Sequence, residues 1–411
     1  MNQMLDLENH QWPKSPLKAE KLDAEQIKQF LTIRADYEKS AFVTAGHLEV
    51  RQLGVKEFTR SIPPGECAVT ALVTHPNGHV YGGTGGKRPH LFYYNPAPDA
   101  DGCADIGVLA PDGEVAALRV LSDGRILAAV NRASGGNCEL YLYSPCEIVL
   151  RDADFTGMGV REIFDLPAED QLFFSTIDPC HSSGRIEQLP SPVAEGAADF
   201  VELDGRIILL GSESGTLYRF TPGDAEAEKA GRLDPNGNFS RKLVLRGDAV
   251  YAAGLYGRLF RYTAGNGLEA LPVTAPSLKG RELYNNVTAW AVAADGLIFG
   301  GTVDGIIFSY DPETGEKRTF GKPTDQCNVC AMSISGNRVY ALVGDPGDCC
   351  HLTVFDRATR DLLDLGALLA RSERPWNGYR FGSMTTGNNG VVYMGEMDRI
   401  SHLFIFFPPI C

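Results

Sequence analysis

The chain has 411 residues, 44% of them hydrophobic and 22% charged, which is the composition of a globular protein and excludes general disorder. With 52 Asp and Glu against 38 Lys and Arg its net charge is −14, and such a surface repels nucleic-acid phosphates, so we expect no nucleic-acid partner. No apolar run approaches the roughly 20 residues of a membrane-spanning helix, and residues 1–18 lack the apolar core of a secretory signal. Ten cysteines in a chain of this length are typical of a reduced set, so we expect a cytoplasmic protein with no membrane partner.

The segment Asp23–Lys39 has the pattern of a helix. Asp23 and Gln26 have the spacing of a capping box, and apolar residues follow at helical intervals from Ile27. We predict one N-terminal helix within an extension of residues 1–45. It would cover apolar surface on the rest of the chain or form a contact between two copies in an oligomer.

From residue 46 onwards one pattern recurs along the chain. Its clearest copy has an apolar strand at Val69–Val73, an Asn77-Gly78 turn, a second strand at His79–Thr84, a polar loop and a third strand at Leu91–Tyr94. Asn-Gly and Asp-Gly suit hairpin turns because these turns need positive φ. The turns of the other copies fall at Asp123-Gly124, Asp204-Gly205, Gly247-Asp248, Asp295-Gly296, Gly336-Asn337 and Asn389-Gly390, with a weaker copy around Glu169-Asp170.

This repeat predicts an all-β fold, a β-propeller formed by residues 46–411, because a period of about 35–50 residues with three or four strands per copy is typical of propeller blades. The copies number about eight, or seven if the weak copy Ile163–Leu189 is an insertion. The last copy ends after its third strand, at Phe406. We therefore expect an N-terminal strand, Gly46–Arg51 or Val55–Phe58, to complete the last sheet and close the ring, which removes open sheet edges.

Three of the eight histidines occupy equivalent positions, immediately before the third strand of their copies: His90, His351 and His402. In a propeller, the loops from second to third strand open on the same face as the loops that lead to the next blade. Equivalent positions on adjacent blades lie roughly 10 Å apart, too far for one metal ion to bind all three, while one or two could serve as a base or a ligand. The alternative is that they only donate hydrogen bonds to neighbouring loops.

Arginines concentrate near the same loops: Arg88, Arg161, Arg241, Arg258, Arg281, Arg374 and Arg380. Because a guanidinium binds a carboxylate through two parallel hydrogen bonds, such a cluster on an acidic protein indicates an anionic ligand. The alternative is that these arginines pair with acidic neighbours such as Glu282 or Glu396.

The long loops of this face also carry aromatic and amide side chains: Tyr256, Tyr284, Trp376, Asn377 and Tyr379. Aromatic rings beside Asn and Arg suit a sugar site, and they equally suit a protein-binding face. Composition does not separate these two uses.

Two other motifs give little support for chemistry. Cys327 and Cys330 form a CxxC sequence on a predicted strand, where residues three apart point to opposite faces, so a zinc site with Cys349 and Cys350 is disfavoured. The glycine-rich segment Gly82–Lys87 has neither the spacing nor the following helix of a phosphate-binding loop.

The blade sequences Gly300–Thr302 with Phe308–Gly315, and Gly82–Thr84 with His90–Pro96, resemble those of propeller-type carbohydrate-degrading proteins. That group contains oligogalacturonate, ulvan and rhamnose–glucuronate lyases and related hydrolases. The resemblance implies a site on one face of the ring, where a His or Tyr removes the C5 proton of a uronate, an Arg neutralises its carboxylate, and an unsaturated sugar results. Some members add a metal ion held by histidines, so a divalent cofactor is left open here.

Carried over to this chain, the resemblance implies His90, His351 or His402 as the base, Tyr256 as the acid, and Arg258 or Arg380 as the carboxylate clamp. The side chains expected to bind substrate are His351, Arg281, Tyr284, Trp376, Asn377 and Tyr379. The favoured function is thus an enzyme, a lyase that cleaves an acidic oligosaccharide by β-elimination. The alternatives are a non-catalytic propeller that binds a protein or a small ligand, and a glycoside hydrolase on the same scaffold.

Overall fold

The computed structural model describes residues 46–53, 61–96, 103–145, 185–234, 239–345, 349–370, 376–398 and 400–409. The predicted extension of residues 1–45, with its helix, lies outside these ranges, so that domain boundary and the oligomer contact stay predictions. None of the described helices is long and apolar enough to cross a membrane.

The described residues are almost entirely β-strand, as the repeat predicts. The first three blades and the N-terminal strand are built from β1 (His47–Gln52), β2 (Ala68–Thr74), β3 (Val80–Gly86), β4 (His90–Tyr94), β5 (Cys103–Val108), β6 (Gly113–Val120), β7 (Ile126–Asn131), β8 (Glu139–Ser144), β9 (Arg185–Leu189), β10 (Ala197–Leu203), β11 (Arg206–Gly211), β12 (Thr216–Phe220) and β13 (Glu228–Arg232). The rest follows as β14 (Val244–Arg246), β15 (Ala249–Ala253), β16 (Arg258–Thr263), β17 (Gly267–Thr274), β18 (Val287–Val292), β19 (Ile298–Thr302), β20 (Ile307–Tyr310), β21 (Lys317–Gly321), β22 (Val329–Ser335), β23 (Arg338–Val343), β24 (His351–Asp356), β25 (Leu362–Ala367), β26 (Leu369–Ala370), β27 (Trp376–Asn377), β28 (Phe381–Thr386), β29 (Val392–Glu396) and β30 (His402–Phe407), with 3₁₀ helices at Leu255–Gly257 and Glu282–Tyr284.

Twenty-eight of these strands form seven antiparallel blades of four strands each, and β26 and β27 pair with each other. Blade 1 is β2–β5, blade 2 is β6–β9, blade 3 is β10–β13, blade 4 is β14–β17, blade 5 is β18–β21, blade 6 is β22–β25, and blade 7 is β28–β30 completed by β1. The inner strands β2, β6, β10, β14, β18, β22 and β28 contact one another in that order, and β28 contacts β2. The described blades therefore close into a ring, and the β-propeller fold is confirmed.

Closure uses the N-terminal strand, as predicted. β1 pairs antiparallel with β30, from His47 opposite Phe407 to Gln52 opposite His402, which selects the first of the two proposed segments. The described blades number seven, the lower of the two expected values. The last residues of the weak copy form β9, the outer strand of blade 2, and residues 146–184 are inserted before it and lie outside the described ranges.

The Gly-Gly-Thr sequence that recurs in second strands allows close packing of neighbouring strands. A Cβ atom on Gly82 would lie 2.1 Å from the Phe92 ring of the third strand, and one on Gly83 would lie 2.5 Å from Val115 of the next inner strand. The Thr84 hydroxyl then accepts the N–H of His90 at 2.9 Å, at the start of the third strand. The copy in blade 5 repeats this arrangement, so the residues that carry the family resemblance are those that the blade needs in order to pack.

The apolar core lies between neighbouring blades. Blade 1 contributes Tyr81 and Leu91 to one cluster, and blade 2 contributes Val115, Leu118 and Ile126, all nearly inaccessible to solvent. Burying a large apolar side chain contributes about 1.5–3 kcal/mol. Packing of this kind therefore holds each blade against the next, and leaves function to the loops and the axis.

Candidate functional site

The loops from second to third strands and from outer to next inner strands open on one side of the ring, called here the loop face. β4, β24 and β30 begin at His90, His351 and His402, so the predicted equivalence of these positions is correct. The ends of the blade 2 insertion, Ser144 and Arg185, belong to a connection from a third to an outer strand. They therefore lie at the opposite side.

His90 lies beneath the loop face in a closed network of charges. It is 3% exposed; its Nε2 is 2.9 Å from Glu66 Oε2 and its Nδ1 is 3.0 Å from both carboxylate oxygens of Asp105. Glu66 also accepts two hydrogen bonds from Arg88. Burial by itself would lower the pKa of His90, but the hydrogen bonds to Asp105 and Glu66 outweigh it and raise that pKa. An imidazolium held in this way is a poor general base.

His402 is similarly enclosed, 2% exposed, with Nδ1 2.7 Å from Oε2 of Glu396, which is itself fully buried. The same carboxylate oxygen accepts the backbone N–H of His402 at 3.1 Å. His351 is half-buried and its Nδ1 is 2.8 Å from Asp364, whose hydrogen bond raises the pKa of His351. Of the three histidines, it is the one open to a ligand.

The histidines do not form a common metal site. Each is held by carboxylates of its own blade or loop, and within the described ranges no group of three or more His, Cys, Asp and Glu side chains is arranged to hold a metal ion. The described residues thus do not fit a histidine-held cofactor.

Arg161 and Arg374 lie outside the described residues, and the other predicted arginines divide into paired and available groups. Arg88 is bound to Glu66, and Arg281 donates from Nε to Asp304 at 2.6 Å, so the pairing interpretation is correct for these two, although the partner of Arg281 is not its sequence neighbour Glu282. Arg258 reaches only the backbone oxygen of Leu271, and Arg380 has no hydrogen bond or ion pair from its guanidinium to any described residue.

The predicted aromatic residues are exposed where the structure describes their side chains. Tyr284 is 72%, Tyr256 45% and Tyr379 41% exposed. Tyr256 has φ 58° and ψ 25°, a left-handed conformation that is rare for a tyrosine. Trp376 and Asn377 form β27, and their side chains lie outside the description.

The axis of the ring contains a cavity of about 140 Å³ lined by inner-strand residues. Its charged residues are Arg119, Asp199 and Lys242, and Trp290 also lies on its wall, with its ring packed edge-on against Phe308. Asp199 is 1% exposed and accepts two hydrogen bonds from Arg119, at 2.9 and 3.0 Å. The Lys242 ammonium has no such partner among the described residues. The wall of the channel, as this cavity is called below, therefore includes one cationic residue that no described residue neutralises.

The channel wall also includes a thiol under the influence of Arg380. Cys330 lines the channel, and its Sγ contacts the oxygen of Gly344 at 3.0 Å. A hydrogen bond from the Cys350 thiol and, less strongly, the positive charge of Arg380 lower the pKa of Cys330. Arg380 does not line the channel, but of the predicted clamps it is the one whose charge acts on a residue of the channel wall.

Sequence reasoning missed Lys242, Arg119 and Trp290, because it searched the loops rather than the axis. All three lie on or immediately before inner strands, at positions that the repeat otherwise fills with Ala or Leu, such as Ala71 and Leu72 in blade 1. A charged or aromatic residue at such a position is the sequence feature that could have indicated the channel.

No family model matches this chain, and no curated protein matches it. Solved structures similar to it include streptogramin B lyase (TM-score 0.59, 12% identity, 87% of this chain and 98% of that one) and the WD40 β-propeller domain of Doa1 (TM-score 0.54, 12% identity, 87% and 97%). The extracellular domain of the one-component system BT4673 from B. thetaiotaomicron is also similar (TM-score 0.54, 13% identity, 87% of this chain and 40% of that one). At these identities the similarity shows that the chain has a β-propeller fold.

Proposed function

We propose that this chain binds a small acidic ligand in its channel. The observation that carries the proposal is Lys242, a half-buried residue of the channel wall whose ammonium has no anionic partner among the described residues. A partly buried ammonium without an anionic partner attracts an anion, and a ligand carboxylate supplies that partner through a charge-assisted hydrogen bond. Arg380, whose charge acts on Cys330 in the channel wall, adds a second cation nearby.

The size of the channel limits the ligand to about one ring. Its volume of about 140 Å³ is close to the ~150 Å³ of an engineered cavity that takes up benzene. A sugar acid has both the ring and the carboxylate, and the uronate expected from the sequence resemblance belongs to this class.

Elimination on a uronate-containing oligosaccharide is the second candidate, and it is favoured by the backbone of Tyr256. A non-glycine residue in the left-handed region stores strain that is characteristic of ligand contacts. Tyr256 is exposed and precedes Arg258 by two positions, so the two could transfer a proton and hold the carboxylate. A similar structure is named a lyase, which keeps this class of reaction among the candidates.

The test of binding is calorimetric titration with galacturonate, glucuronate and glucose. We expect the two acids to bind and glucose to bind at least about tenfold more weakly, because it lacks the charge-assisted contact. Lys242→Met should lose the preference for the acids, while Lys229→Met, which removes an exposed lysine on the outer strand β13, should retain it. Equal binding of uronate by Lys242→Met and the unaltered protein would exclude the site.

The test of catalysis uses uronate-containing oligosaccharides. Elimination creates a conjugated double bond with ultraviolet absorbance, whereas hydrolysis releases reducing ends without it. Absorbance that disappears in Tyr256→Phe supports the lyase, and reducing ends alone support the hydrolase. If binding is intact and neither product forms, the chain is a non-catalytic binding propeller.

A further inference from the structure

The two most exposed large apolar side chains of the described residues, Leu283 and Tyr284, lie on the loop face of blades 4 and 5. Leu283 is 64% and Tyr284 72% exposed, and Tyr256 at 45% and Leu278 at 38% lie beside them. The 3₁₀ helices Leu255–Gly257 and Glu282–Tyr284 contact each other, and the oxygen of Leu278 accepts the backbone N–H of Arg281 just before the second helix. The four residues therefore lie in one region of the loop face, called the apolar patch. Exposed apolar residues grouped in this way mark interaction sites.

The loop that carries the patch is held by buried polar contacts. Asp304 is fully buried, and it accepts the Arg281 Nε at 2.6 Å and the backbone N–H of Leu278 at 3.0 Å. Asn285, 2% exposed, donates to the oxygens of Ala275 at 2.7 Å and Tyr256 at 3.4 Å. A loop anchored at both ends keeps Leu283 and Tyr284 outside, and a preorganised surface loses little entropy when it binds.

The charges around the patch are mostly positive. Arg258 and Lys279 are exposed without an ion-pair partner among the described residues, and half of the Arg281 side chain is exposed although it is paired with Asp304. Glu282 is the acidic residue between Leu278 and Asn285, and its carboxylate accepts a hydrogen bond from the backbone N–H of Gly280 at 3.0 Å. On a chain with a net charge of −14 this is a local reversal, which favours an acidic partner.

We propose that the apolar patch docks an acidic segment of a partner protein. An apolar side chain of that segment packs on Leu283 and Tyr284, and its carboxylates contact Arg258, Lys279 and Arg281. Tyr and Arg are the residue types that dominate protein interfaces, and both occur here. The inference does not depend on the channel site, because none of these residues lines the channel.

The test uses short fluorescent peptides that each carry one Leu, Phe or Tyr among Asp and Glu residues, together with the same peptides in which Asn and Gln replace the acids. Fluorescence anisotropy should show binding of acidic peptides, weakened by salt, and none by the amide versions. Leu283→Ser, Tyr284→Ser and Lys279→Glu should each weaken binding at least about tenfold. Since these side chains are exposed, the variants should melt as the unaltered protein does.

The matched controls are Leu363→Ser, which changes a 53% exposed leucine on blade 6, and Lys229→Glu on blade 3; both should bind as before. Lys242→Met should lose sugar-acid binding and keep peptide binding, so the two proposals can fail separately. Binding that survives Leu283→Ser and Tyr284→Ser, or the absence of any binding by the acidic peptides, overturns the proposal. Self-association of the protein that Leu283→Ser abolishes would also overturn it, because the occupant would then be a second copy.

Discussion

Replacing His402 by alanine should destabilise the propeller, because the ring of this histidine is the hydrogen-bond partner of a buried carboxylate. His402 is 2% exposed, Glu396 is fully buried, and their side chains are joined by a contact of 2.7 Å. Glu396 ends β29 and His402 begins β30, so the pair fastens two strands of the blade that closes the ring.

Breaking a buried pair by removal of one partner costs about 3–5 kcal/mol. Domains of ordinary stability unfold with about 5–15 kcal/mol, so the variant should lose a large part of its free energy of unfolding. Urea unfolding followed by circular dichroism and by tryptophan fluorescence measures the loss, and coincidence of the two signals checks that one transition is being observed.

The matched control is His351→Ala. This histidine occupies the equivalent position, but its pair with Asp364 is partly open to solvent, with side-chain exposures of 23% and 33%, so the loss should stay within about 1 kcal/mol. Replacing His402 by Phe together with Glu396 by Leu should recover part of the loss, since no buried charge is left without its partner. A His402→Ala protein within about 0.5 kcal/mol of the unaltered one would refute this interpretation, and would return His402 to the candidate bases.

Two further predictions concern titrating groups. Because the pKa of His90 is raised, its pairing with Asp105 and Glu66 stabilises the folded protein fully below the ordinary pKa of 6.5, and this contribution is lost as pH rises through the pKa of His90 in the folded state. Because the pKa of Glu66 is lowered, its contribution is complete above 4.5 and is lost as pH falls through the pKa of Glu66 in the folded state. A plot of melting temperature against pH should therefore contain a stabilising contribution that is greatest between pH 4.5 and 6.5. His90→Gln should reduce the fall in melting temperature on the alkaline side of that range, and an unchanged plot would contradict the prediction. Iodoacetamide should label Cys330 before Cys350, because the hydrogen bond from Cys350 lowers the pKa of Cys330 while burial raises that of Cys350; peptide mapping that finds equal labelling would contradict it.

The repeat predicted much of the fold because each of its signals has a local cause. Turn sequences such as Asn77-Gly78 need positive φ, and Gly78 has φ 91°. The last copy lacked an outer strand, and an open edge must be paired, so β1 was predictable. The number of blades was harder to predict, because the apolar run near Phe173 matches a strand pattern and suggested an eighth copy. The part of that copy which the structure describes, Arg185–Leu189, instead completes blade 2.

The channel was not predicted, and of the residues of the loop face the positions were predictable but not the chemistry. Aligning the copies placed His90 and His402 correctly at their strand starts, yet it did not show which carboxylates face them. Glu66 and Asp105 are 24 and 15 residues from His90, and the fold alone brings them within 3.0 Å. The sequence showed arginines near one face, and the structure separates Arg281, which is bound to Asp304, from Arg380, which is available.

By itself, the sequence determined that this protein is a ring of repeated antiparallel sheets completed by a strand from near its N-terminus. Strand alternation and turn glycines have local causes, and a missing outer strand can be counted in the repeat, so all three can be recognised in the linear sequence. Only the tertiary structure decided which charges are neutralised, because the partners come from different strands and loops. It enclosed two predicted histidines with carboxylates, left Lys242 on the channel wall without an anionic partner among the described residues, and kept Leu283 and Tyr284 in solvent.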